Sequence, residues 1–566
     1  MKDVYPRYDN IPDGWLVAPD EQPEYLETPL SSSVGPALDL TDALLDRHVR
    51  EGRGDHVALS LADDGSRYTY ADLARASSQL AHALRRLGVG PGDRVAVRSP
   101  NRPEALIAFL AAWRLGAISV LTPPQARREE IRFFLQDTRA KVVVVARKDP
   151  YLSGLDAVDR AEVPSVEHVI AFPDADGAEH LSWNALMREE QDSFPAQPHP
   201  ADAVAVIWHT AGTTGVPKAC YHTARRLLLA AHCNIAAYDV SPDDVHMFPA
   251  PIGHAAGWLS RAMFSLLAGI TFVELEDFGN PEKVLRAIGE HRVTWIIAAG
   301  TTWVQMLPIF EKDPRAYDVS SLRRTYAPTI TSNGRWLYDA WRTYGLDLLN
   351  PFGSTAFAGW FFVPPQDADV PPLSMGGPID GYEARIVQPY TAPLTDVAPL
   401  EIGQLAVRGP SGLTYWNRPE LQRRDVREGW TVVDDLFRVD EDGHYWYMGR
   451  SDMMIATGGY KVAPVEAEQA LLAHPAVAEV AVTAAPDTER GQVVMAWVVP
   501  AAGVNPDAAL RAELQGFVKA RIAPYKYPRR LVFLRQLPRD PLGKIVAKTL
   551  AGWAQRGEIP ADAYDV

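Results

Sequence analysis

The chain has almost no cysteine: Cys220 and Cys233 are the two in 566 residues. Two thiols are too few for a disulfide framework or a zinc site, so a reduced, cytoplasmic setting is expected. A basic excess is also missing. Fifty-six Lys and Arg stand against 71 Asp and Glu, a formal net charge of −15. That balance argues against a general nucleic-acid or anionic-membrane binder, although it leaves room for a local anion pocket. Long apolar runs are absent as well. Val142-Val143-Val144-Val145-Ala146 has the length of a strand and falls far short of a membrane span. The opening residues, Met1-Lys2-Asp3-Val4-Tyr5-Pro6, lack the apolar core of a signal peptide. There is no internal repeat and no low-complexity tract.

What is present is size and alternation. At 566 residues, 47% hydrophobic and 22% charged, the composition fits a folded protein of two or more domains. Leu73, Ala76, Leu80, Leu84 and Leu87 recur at helical spacing, and Arg94-Val95-Ala96-Val97 follows as a strand. A helix is expected over about 103–115 and another strand at 116–120. This β/α alternation continues to about residue 300 and predicts mostly parallel, doubly wound sheets. Beyond about 370 the texture turns to short strands and turns. From 453 onward a compact αβ pattern returns, with a helix near 464–473 and strands near 478–484 and 493–499. The first 35 or so residues are proline-rich and read as a surface wrap.

One stretch carries the chemistry most openly. An apolar strand, Val204-Ala205-Val206-Ile207-Trp208, runs into His209-Thr210-Ala211-Gly212-Thr213-Thr214-Gly215-Val216-Pro217-Lys218. Glycines let successive N–H groups converge on an anion, while the threonine hydroxyls and the lysine ammonium add donors. It is a phosphate grip without the Gly-Lys-Ser/Thr ending of a Walker A loop.

In combination with motifs downstream, the chain resembles the adenylate-forming enzymes: acyl- and aryl-CoA synthetases, stand-alone adenylation domains and firefly-type luciferases. The likeness extends from Tyr68-Thr69-Tyr70-Ala71-Asp72-Leu73 to the C-terminus. It implies an α/β fold with a large N-terminal domain, residues 1–451, of two αβ layers plus a distorted β-barrel. A small mobile α+β domain, residues 452–566, would pivot at Asp452. Thr210, Gly212, Thr213, Thr214, Gly215 and Lys218 would hold the ATP phosphates, with Ala219 where a glycine is usual. In Phe352-Gly353-Ser354-Thr355-Ala356 the aromatic would stack on adenine and Thr355 would reach the α-phosphate. The family's metal-binding glutamate is Ala356 here, which has no oxygen for Mg²⁺ and leaves Thr214 as the remaining metal candidate.

The same resemblance assigns Asp435 to the ribose hydroxyls, beside Asp434 in place of a glycine, and Arg450 to ribose or phosphate. Gly458-Gly459-Tyr460-Lys461-Val462 would be the loop that swings in for the second step, Gly459 lining the pantetheine tunnel and Lys461 contacting phosphate or carboxylate. Lys544, in Leu537-Pro538-Arg539-Asp540-Pro541-Leu542-Gly543-Lys544-Ile545, would be the catalytic cation. On the acid side the candidates are His254, at the end of Pro249-Ala250-Pro251-Ile252-Gly253-His254, then Trp258, Gly300, Thr301 and Trp303. Ala327 would lie at adenine, next to Tyr326, which departs from the usual glycine. Ala523-Pro524-Tyr525-Lys526-Tyr527-Pro528-Arg529 is most similar to benzoate- and aminobenzoate-type CoA ligases.

The expected reaction uses ATP, Mg²⁺ and CoA to convert a small aromatic or short-chain acid, through its acyl-AMP, to a thioester. A carrier-protein thiol, an amine, or nitrite as the acid remain alternatives, as does a catalytically impaired nucleotide binder. Nucleic acid and membrane are not expected partners, and the chain is expected to be a monomer or homodimer.

Overall fold

A computed structural model describes residues 2–123, 126–148, 150–173, 180–188, 191–210, 217–328, 335–366, 370–389, 391–457, 460–488, 490–539 and 545–564. Helix Tyr70–Arg86 shows how the local signals act. Thr69 accepts from the Asp72 N–H while the Asp72 carboxylate takes the Thr69 N–H, so the helix starts three residues before its leucine stripe. Leu73, Leu80 and Leu84 on that stripe are fully buried.

Two seven-stranded sheets build the N-terminal body. In the first the order is Lys218–Thr223, Val204–Thr210, Ile118–Leu121, Arg94–Arg98, Val142–Ala146, His168–Phe172 and Leu181–Ser182. Every neighbouring pair is parallel except the edge hairpin of Val204–Thr210 with Lys218–Thr223. The four-valine run sits near the middle, buried on both faces as a parallel strand requires.

The second sheet runs Leu348–Leu349, Arg324–Tyr326, Trp295–Ile297, Val245–Met247, Thr271–Glu274, Val57–Leu61 and Arg67–Thr69, with the last strand alone antiparallel. A separate hairpin pairs Phe352–Ser354 with Gly359–Phe362.

The expected distorted barrel is instead an open antiparallel sheet. Glu383–Val387, Gly403–Arg408, Trp430–Val439 and Val426–Arg427 lie in that order, and Tyr445–Arg450 pairs with Trp430–Val439. Among the described residues no pairing closes it. Tyr445 reaches the first strand with one side-chain bond, from its hydroxyl to the Ala384 carbonyl at 3.0 Å.

The chain leaves this sheet at Arg450, passes a 3-10 turn at Ser451–Met453, and enters the C-terminal sheet at Ile455. There Val477–Asp487 and Gly491–Pro500 form a long antiparallel pair, with helices Pro464–Leu472, Ala508–Arg521 and Ala547–Arg556 around them.

The N-terminal wrap is partly interior. Asp3 is buried and forms an ion pair with the Arg226 guanidinium, its carboxylate accepting from Nε at 2.9 Å. The same guanidinium lies 3.7 Å from the Tyr25 ring centre. The Val17 N–H donates to the Tyr221 hydroxyl, and the Glu24 N–H to the Gly429 carbonyl. The strap thus ties the edge strand of the first sheet to the open sheet.

Candidate active site

The expected phosphate loop connects the two strands of the edge hairpin, Val204–Thr210 and Lys218–Thr223. Thr210 and Lys218 face each other across it, followed inward by the pairs Trp208–Cys220 and Val206–His222. Alternation therefore places Trp208, Lys218 and His222 on one face of the hairpin. Gly212, Thr213, Thr214 and Gly215 lie outside the described residues. Lys218 is nearly buried, its ammonium 6.0 Å from the centre of the Tyr415 ring.

On that same face two indole and imidazole donors meet one oxygen. Trp208 Nε1 donates to the Thr355 carbonyl at 3.2 Å, and His222 Nε2 to the same oxygen at 2.9 Å. The two rings are 5.0 Å apart. An acceptor at that distance fixes the proton of His222 on Nε2. Burial holds the imidazole neutral, its pKa lowered to about 4. The stems of the phosphate loop thereby fix the main chain that carries the Thr355 hydroxyl. Sequence reading passed over both residues. Their signal is the two-residue period from Lys218 through Cys220 to His222.

The Thr355 turn is held from below as well. Ser354 Oγ accepts the Ala356 N–H at 3.3 Å and caps the turn Thr355–Phe357. A Cβ at Gly353 would stand 2.4 Å from the Gly359 carbonyl oxygen, so the tight hairpin admits no side chain there. Phe352 is enclosed by Phe361, Phe437 and Tyr447, leaving little of its ring for a ligand.

Asp435 and Arg450 are cross-strand partners in the open sheet. Arg450 Nη1 is 3.7 Å from Asp435 and Nη2 is 3.6 Å from Asp434, so one guanidinium balances two partly exposed carboxylates. Lys461 pairs with Ala456 in the hairpin Ile455–Thr457/Tyr460–Val462, whose tip residue Gly459 lies outside the described residues. Lys544 also lies outside them. Its loop is closed at the base by a bridge between Arg539 and Ile545, with Arg539 bonded to Glu479 at 2.6 Å. The Asp452 backbone is in the 3-10 turn that joins the two sheets.

On the acid side the structure divides the candidates. His254 accepts the Ala256 N–H at 3.3 Å and starts the short helix Ala255–Gly257. Its ring is solvent-accessible, yet the protein packed around it desolvates it and lowers its pKa. Thr301 is half-buried in the first turn of helix Gly300–Lys312, and the Gly300 N–H donates to the Pro328 carbonyl at 3.4 Å.

Trp258 and Trp303 do not serve as an open pocket wall. Trp258 is fully buried against Phe109 and Trp113, and Trp303 is packed on Trp341 with its indole N–H on the Tyr326 carbonyl. Each fills the interior beside its sheet, the usual use of so large an apolar ring. Tyr326 and Ala327 are likewise interior, the Ala327 N–H on the Leu349 carbonyl at 2.7 Å.

A divalent cation finds no side-chain oxygen at Ala356, whose methyl is buried. Among the described residues, Asp440, Asp442 and His444 form a grouping of possible ligands. They sit on a surface turn in which Asp440 accepts the Asp442 and His444 N–H groups. The described residues therefore do not fit the family's usual Mg²⁺ position.

Residues 45–416 match the model of the AMP-binding enzymes, and residues 466–544 that of the AMP-binding enzyme C-terminal domain. A benzoate–CoA ligase of Thauera aromatica is 30% identical over 92% of this chain and 97% of its own length. An acetyl-coenzyme A synthetase of Pyrobaculum arsenaticum is 30% identical over 91% of this chain and 83% of its own. The crystal structure of an anthranilate CoA ligase in complex with anthranoyl-AMP superposes with a TM-score of 0.82 at 27% identity, covering 93% and 99% of the two chains. Members that form CoA thioesters use ATP, Mg²⁺ and CoA. The chain belongs to the AMP-binding, adenylate-forming enzymes, in the branch of AMP-forming acyl-CoA synthetases.

Proposed function

We propose that the chain activates a small carboxylic acid, aromatic or short-chain, and passes it to CoA. In the first half-reaction a carboxylate oxygen attacks the α-phosphorus of ATP, pyrophosphate leaves, and acyl-AMP forms. In the second a thiol attacks the acyl carbon, the thioester forms, and AMP departs with loss of the thiol proton. The observation that carries this reading is the pair of donors on the Thr355 carbonyl, which joins the phosphate-loop stems to the nucleotide motif. These two donors are spent on the main chain, so their part is to hold the Thr355 turn in place; the group left to meet the α-phosphate is the Thr355 hydroxyl.

Lys218 supplies positive charge at the loop stem, Asp435 and Arg450 hold the ribose, and His254 faces the acid. Lys544 neutralises charge as pyrophosphate leaves. The domain beyond Asp452 then turns, withdrawing Lys544 and bringing Gly459 to the thiol path. Benzoate, anthranilate and acetate, named for the relatives, set the range of acids to try. A cytoplasmic setting belongs to the same reading, supported by two cysteines that remain free thiols.

The test is AMP release against benzoates, cinnamates, short aliphatic acids and nitrite, with and without CoA. AMP that accumulates with one acid only when CoA is present establishes the ligase and names its substrate. AMP formed without CoA moves the acceptor to a carrier protein or an amine. Ala356 favours one second reading, a site impaired in adenylation. Ala356→Glu separates the two: a rate gain of about tenfold or more identifies a crippled site, and no gain identifies one adapted to alanine.

A further inference from the structure

The acid-side segment 248–254 is held by two buried side chains that sequence reading did not single out. Arg261 Nη1 donates to the Phe248 carbonyl at 3.0 Å and to the Ala250 carbonyl at 2.8 Å. Asn101 Nδ2 donates to the same Ala250 carbonyl at 3.0 Å and to the Leu275 carbonyl at 3.0 Å, while its Oδ1 accepts the Ile252 N–H at 2.7 Å. The charge of Arg261 is met by Glu274, whose Oε2 lies 3.1 Å from the guanidinium Nε. Both side chains are almost wholly enclosed. Behind them the short helix presses on the segment: a Cβ at Gly257 would be 2.4 Å from the Pro251 carbonyl oxygen.

A buried ion pair contributes little net stability compared with apolar residues of the same volume. Its attested value lies in fixing one arrangement among several, and here every donor not facing Glu274 that has a partner is spent on main-chain carbonyls. We propose that Arg261 and Asn101 are positioning residues for the acid. They hold the 248–254 main chain, and through it His254, at the depth the acid requires, while Glu274 neutralises the guanidinium. This rests on the reading that the acid binds at His254. Neither residue touches the nucleotide motif in any described contact, so their loss should weaken selection of the acid and leave ATP binding unaffected.

Arg261→Met and Asn101→Ala test this independently, so failure of one to fold leaves the other. With the acid that the wild-type enzyme turns over, each is expected to raise the acid KM about ten- to hundredfold, the cost of breaking charged or buried hydrogen bonds. The ATP KM stays within about twofold, and Arg261→Lys recovers part of the loss. Hydrogen–deuterium exchange supplies a readout that needs no substrate. Amides of 250–257 exchange faster in both variants, and those of 204–210 keep the wild-type rate. An unchanged acid KM, an equal rise in both KM values, or unchanged exchange at 250–257 overturns the proposal. Absence of turnover with every acid in the wild type counts against the proposed function, and the exchange comparison still decides the role of Arg261 and Asn101.

Discussion

The proposed nucleotide side and the proposed acid side are built in different ways. On the proposed nucleotide side, short stretches of sequence fold back on themselves: the hairpin that flanks the expected phosphate loop, and a second hairpin at 352–362 whose turn carries Thr355. One carbonyl, that of Thr355, receives donors from both stems of the first hairpin. On the acid side, a segment without regular structure hangs from side chains that come from residue 101 and from residue 261. Local geometry can be written as a motif because neighbouring residues make it. A pocket suspended from remote side chains cannot, and it is free to change with the substrate.

The largest effect should come from breaking the nucleotide side at its tightest point. Gly353→Ala forces a Cβ against the Gly359 carbonyl. Displacing Thr355 by even an ångström is expected to lower adenylation by about a hundredfold. Circular dichroism and acid KM near wild type would confine the damage to the nucleotide side.

Removing one donor at a time is gentler. His222→Phe or Trp208→Phe leaves one side-chain donor on the Thr355 carbonyl, beside the long 3.5 Å contact from the Ala358 N–H, and each should slow ATP–pyrophosphate exchange about tenfold, the worth of one buried bond. His222→Gln, which keeps a neutral N–H donor, should restore part of that rate. The acid KM should not move. If acid and ATP are affected alike, the two sides are not separable and the comparison fails.

Stability against pH sharpens the same point. Burial lowers the pKa of His222 from 6.5 to about 4. Between those values the unfolded chain binds a proton that the native imidazole refuses, so stability falls as pH drops from 6.5 to 4. Above 6.5 the contribution is fully present, and it amounts to about 3 kcal/mol at most. His222→Phe removes this dependence. Denaturant titrations at pH 7.5 and 5 should show a smaller loss in the variant than in the wild type.

How much of this was legible in the sequence follows from the same contrast. The helix at 70–86, the valine strand and the hairpin strands on either side of residues 211–216 were readable, because period, capping and strand alternation act over a few residues. The helix start moved to Tyr70 because the Thr69–Asp72 capping box, rather than the leucine stripe, sets it. Trp258 and Trp303, candidates for the acid side by sequence, are core residues. A tryptophan fits a core and a pocket equally well by type, and only packing against Phe109, Trp113 and Trp341 decides it. The barrel was implied by the family resemblance, but closure depends on pairing between strands distant in sequence. Arg261 and Glu274 carry no local signal, since nothing in a helical segment announces the charge it will meet on a strand.

The smallest effect is predicted for Asp434→Gly, which supplies the residue usual in the family. Its link to Arg450 is 3.6 Å long and both side chains are about a third exposed. A change in stability within about 0.5 kcal/mol is expected from thermal melting, with little change in ATP KM. A large loss would show that Asp434 belongs to the nucleotide side.

The most direct test of the whole account is ATP–pyrophosphate exchange in the absence of CoA, with the acid varied at fixed ATP. The account predicts exchange that one small aromatic or short-chain acid switches on, and that falls in His222→Phe with the acid KM unchanged. Exchange that ignores the acid, or the absence of any exchange while ATP still binds, would contradict it.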